Sequence, residues 1–266
     1  MRASTVLLIA TIAGFVFLYA PIVSLIVFSF NDSQLVTVWG GFSTRWYVAL
    51  FRDPQILSSA WVSFRVAFVS ATLAVVLGTL AAYVLVRFGR FRSRALLTGM
   101  TTAPLVMPEV ITGLSLLLLF VSMEQLIGWP RGRGMTTIII AHVTFGLAYV
   151  AVVVQSRLAG MEQDLEEAAM DLGARPVRVF FDITLPMIAP ALIAGWLLAF
   201  TLSLDDLVIA SFVTGPGAST LPMVIFSKVR LGVSPDVNAL ATIIIVVVAL
   251  GVGLATWYMR RAARNV

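Results

Sequence analysis

Long apolar runs separated by short polar segments constrain this chain more than any other feature of its sequence. A helix of about 20 residues crosses a bilayer, and apolar runs of about that length cover residues 5–30, 59–86, 96–121, 137–155, 191–213 and 237–258. Hydrophobic residues make up 60% of the 266 residues and charged residues only 12%, too few to cover a soluble core. The sequence therefore predicts an all-α membrane protein with six transmembrane helices in a single domain over residues 1–266.

The arginines at the ends of these runs predict how the chain crosses the membrane. Four of them fall within eight residues between the second and third runs: Arg87, Arg90, Arg92 and Arg94. Cytoplasmic loops carry an excess of Lys and Arg, so this short loop is expected inside. The same side then holds both termini and the charged segment 157–190, with Arg2, Arg157, Arg175, Arg178, Arg260, Arg261 and Arg264. We expect a multi-pass membrane protein with both termini in the cytoplasm.

Several kinds of chemistry are excluded by residues that the chain lacks. It has no cysteine and a single histidine, His142, which rules out disulfides, thiolate ligands and a metal site built from several histidines. It also lacks the Gly-x4-Gly-Lys-Ser/Thr loop that cradles nucleotide phosphates, which excludes ATP hydrolysis by that route. The net charge of +5 is better explained by lipid headgroups than by nucleic acid, because the arginines lie beside apolar runs. We predict no catalytic residue, no metal ligand and no cofactor bound by this chain.

The longest charged interval, residues 157–190, has a pattern typical of an exposed helix followed by a tight turn. Apolar residues recur at steps of three and four, and acidic residues fill the positions between them. The apolar set is Leu165, Ala168, Ala169 and Leu172, and the acidic set is Glu162, Asp164, Glu166, Glu167 and Asp171. Gly173 stands where a left-handed residue ends many helices, and a second short helix is expected from Pro176 to breaks at Pro186 and Pro190. This pattern predicts a knob with an acidic rim that projects from the membrane.

A spaced motif in this interval carries a family resemblance. It reads Glu167-Ala168-Ala169, three residues, Gly173, nine residues, and Ile183-x-Leu185-Pro186. The spacing resembles the coupling-loop signature of ABC importer permeases, and an ordinary surface helix stopped by glycine is the alternative. The resemblance implies the type I importer permease fold, with a cytoplasmic coupling helix between spans 4 and 5 that docks into a groove on an ATPase. It also implies a docking element of Glu167, Ala168, Ala169 and Gly173, seated against the membrane helices by Ile183, Leu185 and Pro186.

The same resemblance implies a bacterial inner membrane as the location and a set of partners. The chain has neither a nucleotide-binding loop nor an outer segment large enough to capture a solute. Two cytoplasmic ATPase subunits that bind ATP and Mg, and a separate periplasmic binding protein, are therefore expected. A second permease subunit is expected to complete a heterodimer, with the first span of this chain wrapped around it.

Three carboxylates lie inside predicted spans, where a charge is costly and usually faces a cavity or a partner. They are Glu109 in the third span and Asp205 and Asp206 in the fifth. At about 1.5 Å per residue, Glu109 and Asp205 lie about 20 Å from the cytoplasmic ends of their spans, so a polycation passing between the helices would meet them together. The alternative is structural, with Glu109 restarting a helix broken at Pro108 and the aspartates capping backbone groups.

Aromatic side chains extend this hypothesis of a substrate path. Trp196 and Tyr149, together with Phe145, offer ring faces that attract cations if they face the same path. His142 is expected to be a hydrogen-bonded packing residue and not a proton relay.

A second resemblance concerns the substrate. Segments spread over nearly the whole chain are similar to polyamine importer permeases, with the putrescine importers as the nearest members: residues 29–31, 35–39, 43–47, 103–108, 200–206, 208–213, 215–217 and 220–223. Glu109 departs from this pattern, in which Asp is expected, but keeps the charge. The resemblance implies import of putrescine or a related polyamine. The alternatives are an ABC permease for spermidine, an opine or a metal chelate, and a proton-coupled secondary transporter.

Overall fold

Helices follow one another along the described part of the chain, which comprises residues 2–35, 38–231 and 235–263 of a computed structural model. Side chains are described within residues 5–35, 38–230 and 235–250. Val36 and Thr37 of the segment similar to polyamine permeases, and Arg264 of the predicted cytoplasmic arginines, therefore lie outside the described residues. In chain order the helices are α1 (Arg2–Phe28), α2 (Arg45–Arg52), α3 (Pro54–Arg87), α4 (Arg94–Val106), α5 (Glu109–Ile127), α6 (Met135–Ala159), α7 (Asp164–Asp171), α8 (Pro176–Val179), a π-turn (Phe180–Thr184), α9 (Leu185–Asp205), α10 (Val208–Val213), α11 (Leu221–Leu231) and α12 (Pro235–Ala263).

Five helical segments of the described residues are both long enough and apolar enough to cross a membrane. They are Thr5–Phe28, Pro54–Arg87, Glu109–Ile127, Met135–Ala159 and Pro176–Asp205. The sixth predicted span, residues 237–258, lies within α12, a helix of 29 residues. The predicted all-α membrane fold is confirmed, whereas the cytoplasmic position of the termini stays a prediction.

The chain divides into two compact units, Met1–Leu57 with Val224–Val266 and Ser58–Met223. The larger unit holds the charged segment and all the predicted site residues. The assignment of the whole chain to one transmembrane domain stays a prediction.

The third predicted span consists of two helices and not one. α4 ends at Val106, Met107 has an extended backbone with a ψ of 135°, and α5 begins at Glu109. Pro108 causes this break because its ring disfavours a helical conformation at the residue before it. The span predicted over residues 96–121 is therefore interrupted at Pro108, as in the structural alternative for Glu109, and Glu109 lies in the first turn of α5, where the helix dipole favours a carboxylate.

The fifth predicted span differs from the structure at both ends. Helical backbone runs through Pro186 and Pro190 without the predicted breaks, because Pro186 lies in the first turn of α9 directly after the π-turn. A π-turn shifts the hydrogen-bonding pattern locally and so accommodates a residue that has no N–H to donate. At the other end α9 stops at Asp205, and Asp206 is extended with a ψ of 124° before α10 begins. The helix predicted over residues 191–213 is therefore interrupted at Asp206.

Residues 214–236, between the fifth and sixth predicted spans, contain the helix α11. Glycine, proline and serine occur in this segment both before and after Leu221, a content that favours loops but did not exclude the helix. Pro222 is tolerated in the first turn of α11, where an N–H group has no partner within the helix.

Close approach of α3, α6 and α9 builds the larger unit. Gly78 of α3 and Gly195 of α9 both lie against Val150 of α6, a side chain that is fully buried. Gly146, one turn before Val150, lies against Ala199 of α9. Small residues at these positions let the backbones come near enough for dense packing, the main source of helix association in lipid.

Asn31 organises the polar segment of the smaller unit. Its side chain is buried, donates from Nδ2 to the Val38 carbonyl at 2.7 Å, and accepts at Oδ1 from the N–H groups of Ser33 and Gly40. The Trp46 indole donates to the Asn31 carbonyl at 2.7 Å. One amide side chain thus bonds several backbone groups of this non-helical segment, in addition to the backbone hydrogen bonds from Asp32 to Gly41 and from Ser43 to Phe30.

Lys228 of α11 forms two ion pairs within the same unit. Its Nζ lies 3.0 Å from Asp53 Oδ2 and 2.8 Å from Asp236 Oδ2. Partial burial acts to lower the pKa of Lys228, but the hydrogen bonds to Asp236 and Asp53 outweigh it and raise that pKa above 10.5. Burial likewise acts to raise the pKa of Asp53, and its bonds to Lys228 and to the N–H groups of Ile56 and Gln55 lower it below 3.8.

We predict that Gly78→Ala destabilises the protein. An added Cβ would lie 2.9 Å from Val150 Cβ, closer than real Cβ contacts come, so α3 and α6 must separate. Overpacking of this kind lowers the free energy of unfolding by about 1–3 kcal/mol, measured as thermal unfolding in detergent. The control is Gly99→Ala in α4, which meets nothing within 4 Å and is expected to stabilise its helix by up to about 1 kcal/mol. Equal stability of both variants would contradict this packing account.

We predict that Lys228→Met lowers the free energy of unfolding on the order of 1–3 kcal/mol near neutral pH. The depressed pKa of Asp53 means that its contribution is present above about pH 3.8 and disappears as pH falls further. The raised pKa of Lys228 means that its contribution is present below about pH 10.5 and disappears as pH rises through the folded value. The difference between Lys228→Met and wild type should therefore be largest between these limits and shrink outside them. Arg230→Met removes an exposed cation from the same helix and should show no such pH-dependent difference.

Candidate functional site

The first part of the spaced motif, Glu167-Ala168-Ala169, lies in helix α7, which presents it to the outside of the larger unit. Glu167 and Ala168 are exposed, and Ala169 is half-buried. The apolar Leu165 and Leu172 are also exposed, Leu172 with 90% of its surface. An apolar stripe on the open side of so short a helix indicates a surface that a partner covers.

Gly173 ends α7 in a left-handed conformation, with a φ of +87°. Its N–H donates to the Met170 carbonyl at 2.9 Å, and the Ala174 N–H donates to the Ala169 carbonyl at 3.0 Å. These two bonds form a Schellman motif, in which glycine is favoured because a Cβ strains this backbone. The stop predicted at Gly173 is confirmed, and the second short helix, α8, begins at Pro176 as expected.

Glu166 is buried, contrary to its predicted place in the acidic rim. Its Oε2 lies 3.0 Å from Arg87 Nε, and its Oε1 accepts a hydrogen bond from Arg87 Nη2 at 3.2 Å. The Thr184 hydroxyl donates to the same Oε1 at 2.8 Å. Glu166 and Glu167 point in different directions because successive helical residues are separated by about 100°. The helix therefore has an inner carboxylate, Glu166, and an outer carboxylate, Glu167.

The second half of the motif lies at the start of α9. Ile183 is half-buried in the π-turn, and Leu185 packs against the core cluster that contains Val154 and Ile188. Pro186 is exposed. Leu185 thus contacts the membrane helices directly, while the roles of all three residues in coupling stay predictions.

Asp206 satisfies backbone groups at the interruption between α9 and α10. Its carboxylate accepts from the N–H groups of Ile209 at 3.2 Å and Ala210 at 2.7 Å. His142 Nε2 lies 3.1 Å from Asp206 Oδ2, and its Nδ1 lies 2.6 Å from Ser203 Oγ. A carboxylate only accepts, so Nε2 donates to Asp206. Asp206 fills the capping role given above as the alternative, and His142 is the hydrogen-bonded packing residue expected.

Glu109 and Asp205 are both exposed on the larger unit. Neither forms an ion pair with any side chain that the structure describes. Asp205 is the last residue of α9 and precedes Asp206, whose bonds fix the backbone at this point. These two carboxylates are available to a cation, and the substrate path through them stays a prediction.

The two aromatic candidates lie in different clusters. The Trp196 ring stacks on Phe200 with centroids 4.9 Å apart, and its Nε1 donates to Thr72 Oγ1 at 3.1 Å. Tyr149 lies beside Phe145, with ring centroids 5.1 Å apart. The structure does not place Trp196 and Tyr149 in one ring cluster, although both contribute to the packing of the larger unit.

Sequence reasoning missed the pair of Arg87 and Glu166. Arg87 was interpreted only as one of several basic residues at a cytoplasmic helix end, and Glu166 only as one of several acids. The available signal was helical geometry, because Glu166 and Glu167 cannot share a face of one helix. Helical geometry could not identify Arg87 as the partner of Glu166, because Arg87 lies 79 residues earlier in the chain and the two meet only through the tertiary fold.

Comparison with known proteins places this geometry in a family. Residues 74–266 match the family described as "Binding-protein-dependent transport system inner membrane component". The chain is 61% identical over 258 residues to "Putrescine transport system permease protein PotI" of Escherichia coli (strain K12), covering 97% of this chain and 92% of that protein. It is 43% identical to "Spermidine/putrescine transport system permease protein PotC" of the same organism, covering 88% and 86%. These relatives confirm the resemblance to polyamine importer permeases.

Solved structures share the fold at low sequence identity. A bacterial ABC transporter involved in the import of the acidic polysaccharide alginate superposes with a TM-score of 0.74 at 15% identity, over 97% of this chain and 96% of that one. The MetNI methionine ABC transporter in an inward-facing conformation superposes with a TM-score of 0.59 at 17% identity, over 83% and 99%. The predicted type I importer permease fold is confirmed by these matches. The chain belongs to the family of inner-membrane components of binding-protein-dependent transport systems, as the membrane permease of an ABC importer and not its ATPase.

Proposed function

We propose that this permease moves putrescine or a related polyamine from a periplasmic binding protein to the cytoplasm. The single observation that carries the substrate is the identity of 61% with a putrescine permease over 97% of this chain. The exposed carboxylates Glu109 and Asp205 are consistent with a cationic substrate, because an unpaired anion in a transport path attracts cations.

The proposed assembly contains a second permease subunit, two cytoplasmic ATPase subunits and the binding protein. In this arrangement ATP and Mg bind to the ATPase subunits, and both termini of the permease lie in the cytoplasm. The exposed face of α7, with Glu167, Ala168 and Leu172, supports docking to an ATPase groove because it combines apolar surface with a charge at its edge. Closure of the ATPase pair then moves α7 and changes which side of the membrane the path opens to.

Spermidine is the second candidate substrate, supported by identity of 43% with a permease whose name includes both polyamines. An opine, a metal chelate or proton-coupled transport finds no such support in these relatives.

Reconstituted uptake tests the proposal directly. The chain is purified with its co-expressed partners and placed in liposomes with ATP inside, and uptake of radiolabelled putrescine and spermidine is compared. We expect an ATPase to co-purify and putrescine to accumulate only with ATP and the binding protein. Uptake without an ATPase would contradict the assembly, and ATP-driven uptake that excludes both polyamines would contradict the substrate.

We predict that Asp205→Asn reduces putrescine uptake about tenfold, because a charged hydrogen bond to the cation is lost. Asp205 is the cleaner test of the path, since Asp206 also caps α10 and its replacement would disturb the fold. Asp32→Asn is the control, because it removes a carboxylate from an exposed ion pair of the other unit. Undiminished uptake by Asp205→Asn would remove this residue from the path.

We predict that Gly173→Val reduces ATP-driven uptake about tenfold while the protein still reaches the membrane. Valine disfavours a φ of +87°, so the Schellman turn and the direction of α7 must change. Gly160→Ala in the same interval is the control, since its φ is −86° and an added Cβ makes only ordinary contacts. Normal coupled transport by Gly173→Val would exclude this turn from the docking element.

A further inference from the structure

The coupling helix is joined to the rest of the larger unit through a buried ion pair. Side-chain exposure is 8% for Arg87 and 9% for Glu166, whereas the neighbouring Glu167 is exposed. Arg87 is the last residue of α3, a helix of 34 residues. The pair thus connects the inner face of an eight-residue helix to the end of a long one.

Thr184 adds a third element to this connection. Its fully buried hydroxyl donates to Glu166, and it is the last residue of the π-turn that leads into α9. The rings of Tyr83 on α3 and Phe180 in the π-turn also meet edge to face, with centroids 5.0 Å apart. The Glu166 carboxylate thus contacts the end of α3 and the π-turn at once.

We propose that the Arg87–Glu166 pair makes α7 and the end of α3 move as one body during transport, so that both are positioning residues for coupling. This inference rests on the proposed function, in which an ATPase docks on the outer face of α7. Force applied to that face reaches the membrane helices through contacts on the inner face. There Glu166 combines a charge contact to α3 with a hydrogen bond to the π-turn.

The burial of this pair distinguishes it from the other ion pair of the segment. Arg178 and Asp182 are separated by one helical turn and are 79% and 61% exposed, so water screens them and each side chain can move freely. Loss of one charge from the buried pair instead leaves its partner desolvated and unpaired, and the local structure must rearrange. Rearrangement at this point disconnects α7 from α3 without altering the docking face.

Uncoupling of transport from hydrolysis is the first test. Glu166→Gln removes the charge and keeps the acceptor for Thr184, and the purified assembly is assayed for ATP hydrolysis and putrescine uptake together. We expect the ATPase to co-purify, hydrolysis to persist and the uptake per ATP hydrolysed to fall about tenfold. Asp182→Asn, which removes a carboxylate from the exposed pair, should leave that ratio unchanged. An unchanged ratio of uptake to hydrolysis in Glu166→Gln would overturn the inference. Failure of any ATPase to co-purify with the wild-type chain would instead overturn the proposed function itself.

Cross-linking is the second test, and it does not depend on the stability of a single charge variant. The chain has no cysteine, so Arg87→Cys with Glu166→Cys introduces a unique pair that o-phenylene bismaleimide can bridge. We expect this double variant to transport about tenfold less than wild type and to recover most of its uptake when bridged. Each single cysteine variant, treated with the same reagent, should not recover. Cross-linking that blocks transport would overturn the inference, because it would mean that α7 and α3 must separate during the cycle.

Discussion

Close contact between small residues on α3, α6 and α9 is the constraint on which the larger unit depends. Lipid offers no hydrophobic driving force between apolar helices, so these helices must gain their association from packing. Gly78 and Gly195 let their helices approach Val150, and this approach holds α6 at the centre of the unit. His142 on α6 and Asp206, the residue directly after α9, can meet because these backbones lie so close together.

Interruptions of the helices fall beside the predicted substrate carboxylates. Backbone groups freed within a membrane helix need other partners, so irregular backbone is tolerated only where such partners exist. At the end of α9 the carboxylate of Asp206 supplies them, held by His142. At the end of α4 the cause is Pro108, and the result is a carboxylate, Glu109, in the first turn of α5. Local structure and charge are thus linked at both interruptions.

The sequence predicted the existence of the helices better than their limits. Apolar runs identified the helical segments because length and hydrophobicity decide whether a segment crosses a membrane. Prolines were less informative, since Pro108 divides a predicted span whereas Pro186 and Pro190 lie within continuous helical backbone. The difference lies in the neighbouring hydrogen bonds, including those of the π-turn, and these depend on residues that a single position does not reveal.

What the sequence determined by itself is local: the helix α7, its end at Gly173 and the motif spacing that indicates the family. These features follow from periodicity and from the backbone freedom of one glycine, which need no tertiary partner. Only the tertiary structure decided which of two adjacent glutamates faces outward and which is buried. Glu166 is buried because folding brings Arg87, 79 residues away in the chain, and Thr184, 18 residues away, to the inner side of α7, where they compensate the desolvation of its charge.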